Sequence, residues 1–391
     1  MKILHIGKYF PPYAGGMETY LRDLIAAQAR QGINAQALVH RSHLSFSSKD
    51  EYYETGDHKI PITRAAVWAR LLFTPISPTF PWLLRRLIKQ QQPDILHLHM
   101  PNVSVFWALF LPSARRIPWV VQWHSDVLAS RHSLGLRLFY ALYRPFERAI
   151  LKRSGQVITS SPPYLESSLP LRDFRAKCQV IALGLDPANL PEPGPTILNS
   201  AAHRPLRVLA IGRLTYYKGF EYLVRAAAEC GPIEVHIVGK GDEEAMLKAL
   251  SRELKLGNRI TFHGHLPADE LAEQFGACDC LCLPSIERTE AFGMVLLEAM
   301  HHGKATVISN VRGSGMGWVV DDGITGLHVP PGDAGELANS LGQLQQNRDK
   351  IHQLGESGRQ KFDRRFHIDR SATAISALYK SVLKPARGNP E

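Results

Sequence analysis

The chain alternates strand-length apolar runs with segments of helical period, and it runs through that alternation twice. KILHIG opens it, followed by a long loop, KYFPPYAGG, a helical stretch from about Met17 to Gln31 ended by Gly32, and the strand NAQALVHR. DILHLHM, PWVVQWHSD, QVITSSP and KCQVIALGLD are further strands of the first half. This order predicts a doubly wound α/β domain around a parallel sheet. LRVLAIG then restarts the pattern, with helices GFEYLVRAAAEC and EEAMLKALSRELKL and strands IEVHIVG, RITFHG, CLCLPS and ATVISN. Between the two series lies PANLPEPGPTILNSAAHRP, about residues 187–205, a Pro-, Ala- and Asn-rich stretch that predicts an interdomain linker. The expected fold is therefore α/β with two Rossmann-like domains. The first spans 1–190, the second 191–365, and a terminal segment, 366–391, carries one helix from Ile368 to Leu383 and a disordered tail. Residues 42–66 read as polar and irregular, and GITGLHVPPGD as a loop with a hairpin-like turn.

Charge is unevenly placed. Residues 1–200 hold 23 Lys and Arg against 13 Asp and Glu, whereas the remainder balances at 23 of each. A basic half fits nucleic acid, an anionic membrane surface or an anionic substrate. No stacking motif supports nucleic acid. Two helical stretches favour the membrane. PTFPWLLRRLIKQQQPD sets Arg85, Arg86 and Lys89 beside Trp82, Leu83, Leu84, Leu87 and Ile88, and GLRLFYALYRPFERAILKRSG carries Arg137, Arg144, Arg148, Lys152 and Arg153. Cations over Trp and Leu suit anionic headgroups and lipid tails; either helix alone is also explained by a solvated face. No apolar run reaches ~20 residues, so nothing is expected to span a bilayer. MKILHIG is too short for a signal peptide, and five cysteines at odd spacings suggest no disulfide framework. A cytoplasmic protein, peripheral on the inner face of the membrane, is the expectation. In ACDCLCLP, Cys278, Cys280 and Cys282 alternate as small apolar residues on one strand face rather than as a metal clip.

The stretch SIERTEAFGMVLLEAMHHG, 285–303, concentrates the chemistry. It predicts a loop bearing Glu290, then a buried helix from near Phe292, capped by Gly303 and carrying Glu298. Eight residues of helix would separate the two carboxylates by roughly 12 Å, less if Glu290 lies in the loop. Carboxylates accept paired hydrogen bonds from vicinal hydroxyls, and a helix N-terminus between them suits a diphosphate. Such an anion needs cations near Glu290. GRLTYYKG supplies Arg213 at a strand end and Lys218 at the next helix start, a planar fork and a point charge.

In the first half, Gly15-Gly16 at a helix start allows close backbone approach to phosphate or sugar, or simply a tight turn. The G-x-G-x-x-G fingerprint is absent here, which counts against hydride transfer. His97 and His99 share a strand face and are expected to line or border a cleft; a metal pair would lack an evident third ligand. His124 and Asp126 follow an apolar strand, where ligands of open α/β sheets bind. Asp126 would orient His124 or bind an acceptor.

GRLTYYKG followed by PSIERTEAFGMVLLEAM resembles the retaining nucleotide-sugar glycosyltransferases of the two-Rossmann-domain (GT-B) type, family 4. The resemblance runs over nearly the whole chain. It implies two facing domains with a cleft between them, an acceptor side in the first domain, donor binding in the second, and a final helix crossing back to the first. It further implies that GGME at 15–18 abuts the donor diphosphate and that His124 faces the donor sugar. Arg213 and Lys218 would neutralise the diphosphate, and Glu298 would bind the ribose. Glu290 and the backbone of Phe292, Gly293 and Met294 would position the hexose. Gly239 and Gly241 would make room at the cleft, and the loop around His265 would contact the base. The family retains configuration and requires no metal or other cofactor. The SGMGW insertion after Arg312 is similar to a subgroup transferring mannose or related sugars in bacterial surface polysaccharide assembly. It points to GDP-mannose and a lipid-linked saccharide acceptor. A UDP-sugar transferase with a soluble acceptor, a sugar-nucleotide epimerase and a nucleotide-binding protein with a dead site are the alternatives.

Overall fold

The computed structural model describes residues 1–71, 74–127, 134–190 and 204–383, with the side chains of 134–137 left aside. Arg137, residues 191–203 of the expected linker and the tail from 384 lie outside that description. The chain forms two compact units, Met1–Gly184 with Ile368–Glu391, and Leu185–His367.

Ten strands belong to the first unit: β1 (Lys2–Ile6), β2 (Asn34–His40), β3 (Lys49–Thr55), β4 (His58–Ala65), β5 (Ala69–Leu71), β6 (Thr74–Ile76), β7 (Ile95–Met100), β8 (Trp119–Trp123), β9 (Gln156–Thr159) and β10 (Cys178–Val180). Eight make one sheet in the order β10-β9-β8-β7-β1-β2-β4-β3, and β5 and β6 form a separate ribbon. All neighbours in the large sheet are parallel except β3 and β4. The central strands β7 and β8 are buried at every residue, which is why they are mostly apolar, interrupted only by His97, His99 and Gln122. The polar stretch 42–66 was expected to be irregular; it is the β3–β4 hairpin instead. β3 is an edge strand, exposed or half-exposed throughout, so it lacks the apolar signal of its neighbours. The helix Phe80–Gln91 buries Leu83, Leu84, Leu87 and Ile88 as core. The expectation that its leucines skim lipid is therefore corrected; only Trp82 of that apolar set is exposed. The last helix, Ile368–Leu383, buries Ile368, Ala372, Ile375 and Tyr379 at helical spacing and packs on the helix Gly16–Arg30.

The second unit holds β11 (Leu206–Ile211), β12 (Ile233–Val238), β13 (Ile260–Gly264), β14 (Cys280–Leu283), β15 (Ala305–Ser309) and β16 (Gly326–Val329). Their order is β13-β12-β11-β14-β15-β16, all parallel. β16 lies in GITGLHVPPGD, where a loop was expected; its four residues are too few to show a period. Cys280 and Cys282 are fully buried in β14, and Cys278 is buried just before it.

Candidate active site

In the second sheet, β12 and β13 are laid to one side of β11, and β14 is laid to the other. The chain reverses direction of growth between β11 and β14, so the loops leaving their carboxyl ends diverge there. That crevice is where open α/β sheets bind ligands. The β11 loop carries Arg213 and a single 3-10 turn, Tyr216–Lys218; the β14 loop carries Ser285 to Gly293.

Several contacts bind these two loops together. Ile286 N–H donates to Tyr217 O at 2.8 Å, and Tyr216 Oη donates to Glu287 Oε1 at 2.7 Å. Lys218 Nζ donates to Glu290 Oε2. That ion pair is nearly sealed, with side chains 12% and 13% exposed. Burial pushes the ammonium pKa down, but the Glu290 charge and hydrogen bond outweigh it, and the pKa is raised overall. Lys218 therefore stays protonated. Arg213 is exposed at the same loop. Gly219 then turns left-handed, with φ 68°, and starts the helix Phe220–Glu229. A Cβ there would lie 2.1 Å from Pro284 O, so only glycine lets the β11 loop seat on the β14 loop.

Glu290 is held on its other side by Ser314, whose Oγ donates to Glu290 O at 2.5 Å, while Gly315 N–H donates to Ala291 O. The buried helix begins at Met294 rather than Phe292, because Gly293 is left-handed with φ 80°. Phe292 points into the core against Trp318 and Phe366, which leaves its backbone to the site. Glu298 is half-buried on the second turn of that helix. Gly239 and Gly241 follow β12. The space they clear is filled by protein: a Cβ would meet Gly212 O at 1.9 Å and Leu214 O at 2.2 Å. Their glycines are thus required by loop-on-loop packing. His265 is exposed just after β13.

His124, Asp126, Gly15 and Gly16 belong to the first unit. Gly15 is extended and exposed, ahead of the helix Gly16–Arg30. Asp126 is buried, accepting from Trp123 Nε1 at 2.8 Å and Ser168 Oγ at 2.7 Å. The ring of His124 bonds to His99, with Nε2 3.0 Å from His99 Nδ1. His97 and His99 do not line a surface; both are buried, at 0% and 1% exposure. A third histidine, His5 of β1, joins them because β1 pairs with β7. The ligand atoms of these three spread up to 4.8 Å apart. A tetrahedral zinc with bonds near 2.05 Å would draw them to about 3.4 Å. His97 and His99 also stack, with ring planes 17° apart, rather than converge. The missed residues, His5, Gln28 and Tyr379, carry no motif and are far from His97 in sequence.

A second feature went unforeseen. Trp107 and Phe110 are exposed, and Phe110 lies 6.1 Å from exposed Phe146 on the helix Leu134–Arg153. Leu142, Arg144 and Lys152 of that helix are exposed as well. Among the described residues no helix is long and apolar enough to cross a membrane.

Comparison with known proteins agrees with this picture. Residues 15–184 match the glycosyl transferase 4-like domain, and residues 199–361 match the glycosyl transferases group 1. The O-antigen chain mannosyltransferase C of Escherichia coli is 28% identical over 98% of this chain and 99% of its own. The phosphatidyl-myo-inositol mannosyltransferase of Mycobacterium leprae is 28% identical over 98% and 97%. Among solved structures, the sucrose-phosphate synthase of Thermosynechococcus elongatus superposes with a TM-score of 0.81, covering 98% of this chain and 100% of that one at 24% identity. The chain is a glycosyltransferase of the two-Rossmann-domain class, its first domain belonging to the glycosyl transferase 4-like family and its second to the group 1 glycosyl transferases.

Proposed function

We propose that the protein transfers a hexose, mannose from GDP-mannose, to a lipid-linked saccharide acceptor with retention of configuration, in bacterial surface glycan synthesis. The observation that carries the donor side is the Lys218–Glu290 pair at the point where the loops of β11 and β14 diverge. A lysine held protonated there, an exposed Arg213 and the N-terminus of the helix Phe220–Glu229 together make a cationic seat for a diphosphate. Glu298 takes the ribose hydroxyls. Glu290 and the backbone from Phe292 to Met294 take the hexose, and His124 is assigned to the same sugar. In the reaction the bond from the anomeric carbon to the diphosphate oxygen breaks and the bond to the acceptor hydroxyl oxygen forms. The acceptor proton passes to the leaving diphosphate. Arg213 and Lys218 stabilise the charge that grows on that leaving group, the part a metal would otherwise play.

The mannose choice is supported by the two mannosyltransferase relatives. The acceptor choice is supported by one of them, which acts on a phosphatidyl-inositol, and by the exposed Trp107, Phe110 and Phe146 beside exposed cations of the basic half. That surface suits an anionic bilayer and supports a peripheral location on the inner face of the cytoplasmic membrane. Calorimetric titration of the full chain with GDP, UDP, ADP and dTDP tests the donor. GDP is expected to bind tightest; preference for UDP would replace mannose, and no binding by any would end the transferase reading of this site.

A further inference from the structure

The first domain contains a line of buried polar side chains that the transfer chemistry does not use directly. Gln28 of the helix Gly16–Arg30 places Oε1 2.8 Å from His5 Nε2. His5 Nδ1 is 3.1 Å from His99 Nε2, and His99 Nδ1 is 3.0 Å from His124 Nε2. At the far end Gln28 Nε2 donates to Tyr379 Oη at 3.2 Å, and Tyr379 bonds His97 Nδ1. The three linking residues, Gln28, His5 and His99, are essentially inaccessible to solvent.

Burial lowers the pKa of every ring in this line: His5 to about 4, His124 to about 3, and His97 and His99 well down. All are therefore neutral at pH 7. A neutral imidazole has one N–H and one bare nitrogen, so rings bonded in series must all point the same way. The sense is set at Gln28. Its amide N–H is given to Tyr379, so its carbonyl oxygen faces His5 and can only accept. His5 then donates from Nε2 and accepts at Nδ1. His99 donates from Nε2 and accepts at Nδ1. His124 donates from Nε2.

We propose that Gln28, His5 and His99 act as positioning residues that hold His124 as the Nε2–H tautomer, so that its bare Nδ1 accepts a hydrogen bond from a hydroxyl of the donor sugar. The inference rests on the assignment of His124 to that sugar. It adds a specificity rule: the group facing His124 must be a donor, which a hydroxyl is and an ether or carbonyl oxygen is not. Loss of the line would leave His124 free to exchange tautomers, and a share of the molecules would then present an N–H instead.

The test is two-bond 15N–1H correlation of histidine-labelled full-length protein, with the His124 signals identified from His124→Gln. The wild type should show a protonated Nε2 and an unprotonated Nδ1 at His124. Gln28→Met, which keeps the shape and removes both polar atoms, should give averaged nitrogen shifts. Gln28→Glu, whose carboxylate can only accept, should restore the wild-type pattern. In transfer assays Gln28→Met should lower kcat by about 10- to 100-fold with donor KM little changed, by analogy with the loss on removing the hydrogen-bond partner of a metal-bound histidine. A proton on Nδ1 of His124 in the wild type, an unchanged tautomer in Gln28→Met, or a stoichiometric metal in the purified protein would overturn the relay. Failure of GDP and the other nucleotides to bind would sink the donor-site reading and leave the tautomer result standing.

Discussion

Removal of the Lys218 charge should be costly for the second domain as well as for donor binding. The ammonium and the Glu290 carboxylate are paired with side chains 12% and 13% exposed. In Lys218→Met the stem is kept and the charge is lost, so Glu290 is left as a nearly buried carboxylate, with Ser314 still fixing its backbone and Gly315 that of Ala291. Breaking such a pair from one side costs about 3–5 kcal/mol. For a unit of this size, 1 kcal/mol lowers Tm by about 2–4 °C, so the drop should be on the order of 10 °C. Adding Glu290→Gln removes the stranded charge, and the double variant should melt above Lys218→Met alone. Differential scanning calorimetry of the four proteins closes the cycle, and GDP titration of each reports the binding loss separately. If Lys218→Met melted within 1–2 °C of wild type, by the same conversion, the pair would not be the buried contact described, and its place in the donor site would lose its structural basis.

Glu147 offers a pH test in the first domain. Burial, and then the nearby Asp126 charge, raise its pKa to about 7 from 4.5. A carboxyl raised on folding contributes stability that is complete below its unfolded pKa and lost as pH rises through 7; the handicap at pH 8 is up to about 3 kcal/mol. Glu147→Gln should therefore gain Tm over wild type at pH 8 and little at pH 5, and parallel curves would refute the shift. Trp107→Ser with Phe110→Ser should reduce partitioning onto anionic vesicles roughly tenfold, equivalent to about 60 Å² of apolar surface left in water at 25 cal/mol/Å². Both residues are exposed, so Tm should hold; unchanged flotation would remove this patch from the membrane contact.

Some of this was legible in one dimension. Arg213, Lys218, Glu290 and Glu298 stand out because each sits in a short segment whose local pattern, strand end to helix start, already places it near the rim of a parallel sheet. The last helix was equally plain, since Ala372, Ile375, Leu378 and Val382 recur at helical spacing. The apolar stripe of Phe80–Gln91 was legible as a stripe but not as to what covers it. Its leucines face core rather than lipid, and periodicity cannot tell those apart.

What the amino-acid order determined by itself was element type, domain count and the loops that follow β11 and β14, because these depend on contacts within a few residues. Strand order decided the rest. Laying β14 on the far side of β11 brings Lys218 to Glu290 across 72 residues. Laying β1 beside β7 brings His5 to His99 across 94, and docking the final helix on Gly16–Arg30 brings Tyr379 to Gln28 across 351. Those pairings are set by which buried faces pack together over the whole chain, and no local period or motif encodes that choice.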